Sequence, residues 1–354
     1  MKNCIGSVLL GFIALLLFAP MRAPAQQQTK NTEGGLPWAY GFAAPQPTGP
    51  APAAAPGAAG AAAPAAPAED RETVRHLPDT TAAFAIKQID DNYGPADWYP
   101  SDHPQMPGVV AHGEKPNMVP ACGFCHYPNG KGRPNNAGPA GLPAAYILQQ
   151  LQDFREGARK SWDPRKRNTG QMIAIAKGVS DEDAKAAAEY FASMKWTPYT
   201  KVVEAASVPK AHFVGGGGGL DMPFDGTEAG MEPIGNRIVE VPASPEDTEP
   251  MRNPRSGFIA YVPPGSIQKG EELATRGGNG KTVACAACHG VGLKGNENIP
   301  SLAGRSPSYL ARQLLDIQHY TRNGPGALTM RPVVQNLTDD DILAIVAYVA
   351  SLHP

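Results

Sequence analysis

Cys122, Cys125 and His126 stand in the run Cys122-Gly123-Phe124-Cys125-His126, and Cys285, Cys288 and His289 in Cys285-Ala286-Ala287-Cys288-His289. Both are C-x-x-C-H, the attachment signature of a c-type haem. Two thiols at this spacing add to the two vinyl groups of one haem, and the histidine that follows directly supplies an axial nitrogen to the iron. The chain has 5 cysteines. Four lie in the two motifs and the fifth, Cys4, lies in the N-terminal leader, which leaves none for a disulfide or a catalytic thiol. The alternative chemistries fit less well. A shared zinc site would have to pool two pairs far apart in sequence, each with its own trailing histidine. A redox dithiol needs a βαβ setting that is not evident here.

The surroundings of the two motifs match each other. At an offset of 163 residues Cys122, Cys125 and His126 map onto Cys285, Cys288 and His289, Gly132 onto Gly295, Gly141 onto Gly304, Tyr146 onto Tyr309, Gln150 onto Gln313 and Asp153 onto Asp316. Beyond an insertion around Gly157–Arg167 the offset becomes 158: Met172 maps onto Met330, Ser180 onto Thr338, Asp183 onto Asp341 and Tyr190 onto Tyr348. A whole domain of about 90 residues is therefore present twice. Each copy reads as helical. Thr338 and Asp341 form a helix start, followed by Ile342, Ile345, Val346, Val349 and Leu352 at helical spacing. Ser180 and Asp183 repeat the start in the first copy, Ile147, Leu151 and Phe154 mark one face of an earlier helix, and a short helix precedes each motif near Val109–Gly113 and Gly270–Arg276. So small a unit buries little apolar surface alone, and a flat apolar haem supplies the missing core.

The distal ligand has to come from elsewhere in each copy. Met172 and Met330 share one position in the repeat, eight residues before the cap of the last helix, in sequence that reads as loop: Asn168-Thr169-Gly170-Gln171 and Gly326-Ala327-Leu328-Thr329. His103, His112 and His319 have no histidine counterpart in the other copy, and Met194 aligns with Leu352 and reads as core. Paired His and Met raise the potential relative to two histidines and close both axial positions.

With these motifs in place the chain resembles the class I cytochromes c, and among them the di-haem cytochrome c4 group. The second copy carries the resemblance best, through Cys285–Gly290, Pro300–Arg305, Tyr309, Gln313, Leu314, Met330 and the terminal helix; in the first, Tyr127 replaces the usual Gly after the histidine and the Gly157–Arg167 insertion is extra. The resemblance covers about half the chain. It implies an all-α fold of two tandem domains, each a few helices wrapped around one covalently bound haem, with a long irregular tail and connector. The expected divisions are a signal peptide at 1–25, an N-terminal tail with an Ala/Pro-rich spacer at 26–103, a first haem domain at 104–197, a connector at 198–265 and a second haem domain at 266–354.

The remaining features bound the role. A net charge of −2 argues against nucleic-acid partners. Lys2, an apolar run of about 15 residues from Ile5 and the Ala23-Pro24-Ala25 cleavage pattern read as a secretory leader, shorter than the roughly 20 residues that span a bilayer. Export to the periplasm is expected, with membrane association through partners or an uncleaved leader. Leu36–Phe42 carries three aromatics ahead of the spacer and reads either as a docking peptide or as a segment that folds back. The connector, rich in Gly215–Gly219, acids and one strand-like run at Glu232–Pro242, reads as a partly ordered wrap that shields a haem edge or docks a partner. Arg155, Arg159, Lys160, Arg165, Lys166 and Arg167 form a basic cluster that steers an acidic partner, balances haem carboxylates or simply faces water. The expected function is a non-enzymatic di-haem electron carrier, free or as the cytochrome subunit of a dehydrogenase complex. It would take electrons from a dehydrogenase or quinol-oxidising complex and pass them to a terminal oxidase or reductase. The competing class is a di-haem peroxidase, which needs an open distal position; a thiosulfate dehydrogenase needs a cysteine ligand that this chain cannot spare.

Overall fold

The computed structural model describes residues 35–42, 71–214 and 219–354. The expected signal peptide, the Ala/Pro-rich spacer and most of the glycine run lie outside the described residues. What is described of the expected tail is folded. Residues 71–103 carry a hairpin of β1 (Val74–His76) and β2 (Ala83–Ala85) and the single turn α1 (Ile86–Ile89). These close a small core of Leu77, Ile86, Ile89, Trp98 and Tyr99 with Met251 from the connector, whose carbonyl accepts from Trp98 Nε1 at 2.8 Å.

The first haem unit follows as α2 (Gly108–Ala111), α3 (Cys122–His126), α4 (Ala144–Arg155), α5 (Arg167–Gly178) and α6 (Asp181–Ala192). Val109, Val110, Val119, Val179, Ala184, Ala187, Tyr190 and Phe191 form its core. The Ser180 hydroxyl accepts from Asp183 N at 3.1 Å and starts α6, the kind of cap worth about 1 kcal/mol.

The connector is not irregular, and the all-α expectation fails there. A three-stranded sheet sets β3 (Thr200–Glu204) parallel to β9 (Phe258–Val262), with β8 (Val239–Pro242) antiparallel on the other side. Between them β4 (Ser207–Pro209) pairs with β7 (Met231–Pro233), β5 (Ala211–Val214) pairs with β6 (Leu220–Pro223), and α7 (Pro245–Thr248) makes one turn. The run Phe-Ile-Ala-Tyr-Val of β9 explains the strand. It is β-branched and aromatic, and its alternate residues Phe258, Ala260 and Val262 are buried. Ala260, Val262 and Ile238 join the core of the second unit, so helices cover this sheet on one side.

The second unit contains α8 (Ser266–Arg276), α9 (Ala286–His289), α10 (Pro307–Gln318), α11 (Pro325–Val334) and α12 (Asp339–Ser351). The repeat is visible element by element. α4 and α10 occupy the same twelve positions 163 residues apart, while α5 and α11, and α6 and α12, start 158 residues apart. Gly141 N donates to Phe191 O at 3.0 Å and Gly304 N to Val349 O at 3.0 Å, the same bond at the same two repeat positions. The main departure is at the start: α2 has 4 residues and α8 has 11. A Cβ on Gly270 of α8 would lie 1.9 Å from the Ala344 carbonyl of α12, so these helices cross backbone to backbone.

Candidate haem sites

The imidazoles of the two motifs are held alike. His126 Nδ1 lies 2.7 Å from the carbonyl of Ala137, and His289 Nδ1 lies 2.9 Å from the carbonyl of Pro300, 11 residues downstream in each case. A carbonyl only accepts, so Nδ1 carries the proton and Nε2 keeps its lone pair. This outer hydrogen bond is what orients a metal-binding imidazole and makes it a better donor. Gly132 N and Gly295 N close the loop onto the carbonyls of His126 and His289, at 2.9 and 2.8 Å. Burial pushes both imidazoles below the ordinary histidine pKa, outweighing the opposing carbonyl bond, and so favours the neutral, ligating form. Burial pushes the Cys122 thiol up to about 12 and the Cys285 thiol up to about 11.

Cys122, Cys125, His126 and Met172 line one cavity of about 470 Å³ together with Leu142, Ile147, Leu151, Phe154, Ile175 and Phe191. That volume lies within the roughly 300–1,000 Å³ of pockets that take a cofactor-sized molecule. The apolar walls, two thiols and an imidazole with a free Nε2 fit a haem. In the second unit Cys285 and Met330 pack on the core built from Leu293, Leu310, Val334 and Leu337.

Met172 and Met330 do not sit in loops. They lie on α5 and α11. Pro325 at the first turn of α11 is pre-set for a helix start. In α5 a single interior Gly170 costs only about 1 kcal/mol, and Ala176 is buried with Ile175 packed on the core. None of the histidine alternatives lines the first unit's cavity. His103 has both ring nitrogens occupied, by Pro104 O at 2.8 Å and Asp97 at 3.1 Å. His319 stacks on Trp162 at 4.4 Å, and His112 is exposed. Met194 packs on the first core. Among the described residues no three His, Cys, Asp or Glu side chains form a metal-binding group, so the motifs do not pool into one zinc site.

The two units meet about an approximate two-fold axis. Lys160 N donates to Thr321 O and Asn323 N to Ala158 O, both at 2.8 Å, with Arg159 bridged antiparallel to Arg322. Arg159 donates to Gln150 (2.9 Å), Tyr309 (3.2 Å) and Gln313 (2.9 Å); Arg322 donates to Gln313 (3.1 Å), Tyr146 (2.9 Å) and Gln150 (2.8 Å). Every residue in one set has its repeat mate in the other. The expected basic cluster is thus divided among several tasks. Arg159 builds this interface, Arg155 ties α4 to Ala176 O, Val179 O and Asp181, Arg165 pairs with Asp163 at 2.6 Å, and Lys166 is buried. Leu36–Phe42 folds back. Leu36, Ala39 and Tyr40 join the core of the second unit, and Tyr40 Oη donates to Asp316 at 2.9 Å.

Comparison with known proteins follows the same lines. The Cytochrome c family model matches residues 110–195 and again 267–353. Cytochrome c4 of Stutzerimonas stutzeri is 26% identical over 242 residues, covering 66% of this chain and 86% of that protein. The thiosulfate dehydrogenase electron acceptor of Thiomonas intermedia (strain K12) is 26% identical over 241 residues, covering 67% and 80%. Cytochrome c-554(548) of Halomonas halodenitrificans is 39% identical over 75 residues, covering 21% of this chain and 90% of that one. The chain belongs to the cytochrome c family, as an electron-transfer member with two tandem domains and two covalently attached haem c groups.

Proposed function

We propose that the chain is an exported, periplasmic di-haem electron carrier whose two iron sites are closed by His126 with Met172 and by His289 with Met330. Cys122, Cys125, Cys285 and Cys288 are the thioether positions. The observation that carries this reading is the repeated Nδ1–H···O=C bond, to Ala137 and to Pro300, which presents Nε2 in the same way in both units. When bound, each haem supplies a one-electron ferrous–ferric couple. The protein's part is to fix the imidazole, to exclude water with the apolar wall around Met172 and Leu151, and to hold the two units rigidly through Arg159 and Arg322. Among the described residues no helix is long and apolar enough to cross a membrane. The donor is a periplasmic dehydrogenase or a quinol-oxidising complex, and the acceptor a terminal oxidase or reductase; a relative named as the electron acceptor of thiosulfate dehydrogenase makes a thiosulfate-oxidising donor the first to try.

The ferric near-infrared spectrum tests this. Two low-spin haems with full methionine–iron charge-transfer intensity are expected, unaltered by peroxide. Met172→Ala and Met330→Ala should each remove about half of that intensity. A high-spin haem that turns over peroxide, or a variant that keeps the full band, overturns the reading.

A further inference from the structure

Two buried cations that line the first unit's cavity have no carboxylate within ion-pair distance among the described residues. Lys166 is 6% exposed and Arg312, which enters from α10 of the second unit, is 5% exposed. Among the described residues neither makes an ion pair. Lys166 Nζ donates to Asn135 Oδ1 and to the Tyr40 carbonyl at 3.4 Å; Arg312 donates to the carbonyls of Ala39 at 2.5 Å and Pro134 at 2.7 Å. All four acceptors are neutral oxygens. Of the acids nearby, Asp163 pairs with Arg165, Asp316 accepts from Tyr40 Oη and Trp162 N, and Glu240 accepts from Ser306 Oγ and Ser308 N, while half-buried Asp221 on β6 has its pKa raised by desolvation. Burying a charge without a partner costs several kcal/mol. Burial, with Arg312 as neighbour, pushes the Lys166 ammonium down to about 6. An anion in the cavity would reverse that.

The charge count of the cavity is specific. Its buried charged lining consists of Arg159, Lys166 and Arg312 against the single carboxylate Asp316, an excess of two positive charges. A haem carries two carboxylates. We propose that Lys166 and Arg312 are the counter-ions of the carboxylates of the haem at the first motif, and that the backbone of Leu36–Phe42 is the clamp which holds both cations in place and so sets that haem's potential. This rests on the first motif binding a haem. It gives the aromatic N-terminal segment a task inside the molecule, through the carbonyls of Ala39 and Tyr40.

Spectroelectrochemical titration of the holoprotein at pH 8, where an unperturbed carboxylate is ionised, tests it. A Cys122→Ala/Cys125→Ala variant, left with the second haem alone, assigns the two waves; if it still holds two haems, the motif reading fails, independently of the counter-ion proposal. A positive charge favours the ferrous form, so Lys166→Met should lower the first haem's potential alone, shifting its ferrous-to-ferric ratio about tenfold, which is about 59 mV for one electron. Lys166→Arg should restore it. Tyr40→Ala, which removes the clamp's anchor on Asp316, should move the same wave the same way but less. Lys177→Met, at an exposed site on α5, should move neither. Equal shifts of both waves, or none with Lys166→Met, overturn the proposal. If these variants fail to fold, the wild-type redox-difference infrared spectrum decides. Carboxylate bands that stay ionised through neutral pH support the counter-ions, and a protonated carboxyl band there overturns them.

Discussion

The first haem unit begins with a helix of four residues and the second with one of eleven, and the rest of the molecule is arranged around that difference. In the second unit α8 crosses α12 at Gly270, and the unit closes on itself. In the first, α2 is too short to cover α6. The cover is borrowed: residues 71–103 and the connector segment near Arg252 lie over the first motif. Arg252 donates to the Phe124 carbonyl and sits 4.1 Å over the Phe124 ring, Asn129 donates to Pro254 O, and Arg133 reaches Tyr127, Thr248 and Glu249. Tyr127, where the second unit has Gly290, holds a positive φ of 62° that glycine adopts more readily, and its hydroxyl accepts from Arg133 at 2.8 Å. The second motif is bare by contrast. Cys288 is exposed, Val291 is 94% exposed and Val283 49%. Two copies of one domain thus differ in how their motifs are covered: chain from outside the repeat packs over the first, while the Cys288 side of the second faces water.

The strongest way to break this contrast is Gly270→Ala. The added methyl meets a carbonyl that belongs to α12 and cannot swing aside. We expect a loss of about 3 kcal/mol, the upper end of overpacking costs, read by denaturant unfolding of the holoprotein. The second haem's signals should be lost first. If both haems are lost together with no change in midpoint, α8 does not carry the second unit alone. Next in size is Arg252→Ala, which removes a buried hydrogen bond to Phe124 O and the guanidinium over its ring. A cost of about 2 kcal/mol is expected, with faster amide exchange confined to Cys122–Tyr127 and faster reduction of the first haem by a small external reductant. Uniform exchange across both motifs would remove the connector's role as a cover.

The duplicated core was legible because the repeat could be compared with itself. The offsets of 163 and 158 mark where α4, α5, α6 and their mates begin. Arg159 and Arg322 carry the same offset and were equally readable as a pair; reading Arg159 only as one charge in a basic run hid the interface. The carbonyls of Ala137 and Pro300 leave no mark in sequence, because a backbone acceptor can belong to any residue. The helical placement of Met172 was obscured by Gly170 and by polar neighbours that resemble a loop. The connector's sheet was half visible, at Glu232–Pro242, but β3 and β9 pair in parallel across more than fifty residues, and no local pattern encodes such a partner. The clamp formed by Leu36–Phe42 needed the positions of Arg312 and Lys166, which lie far away along the chain.

The smallest difference is at the last helix. Ser180 and Thr338 cap α6 and α12 alike, yet the acid three residues on is used differently. The Asp183 carboxylate meets the Ser180 hydroxyl, at 3.0 Å. Asp341 also accepts from Thr338 N at 3.0 Å, pairs with Lys281, and lies 3.2 Å from Lys269 of α8. Although desolvation opposes it, the hydrogen bonds from Lys281, Thr338 and Lys269 hold the Asp341 carboxyl well below the usual carboxylate range. A folded-state pKa below the unfolded one contributes stability above the unfolded value, near 3.9, and that stability is lost as pH falls toward the folded value. Stability of the second unit should therefore decline below about pH 4, where Asp341 supplies part of the slope. Asp341→Asn should cost about 1 kcal/mol at pH 7, comparable to losing a helix cap, and flatten the acid limb of the second unit's stability profile while leaving the first unit's unchanged. Following each haem's absorbance through acid unfolding, wild type against variant, measures this. An acid limb equally steep in the variant would mean that the Asp341 carboxylate adds nothing to what the apolar face of α12 already supplies through Ile342, Ile345, Val346 and Val349.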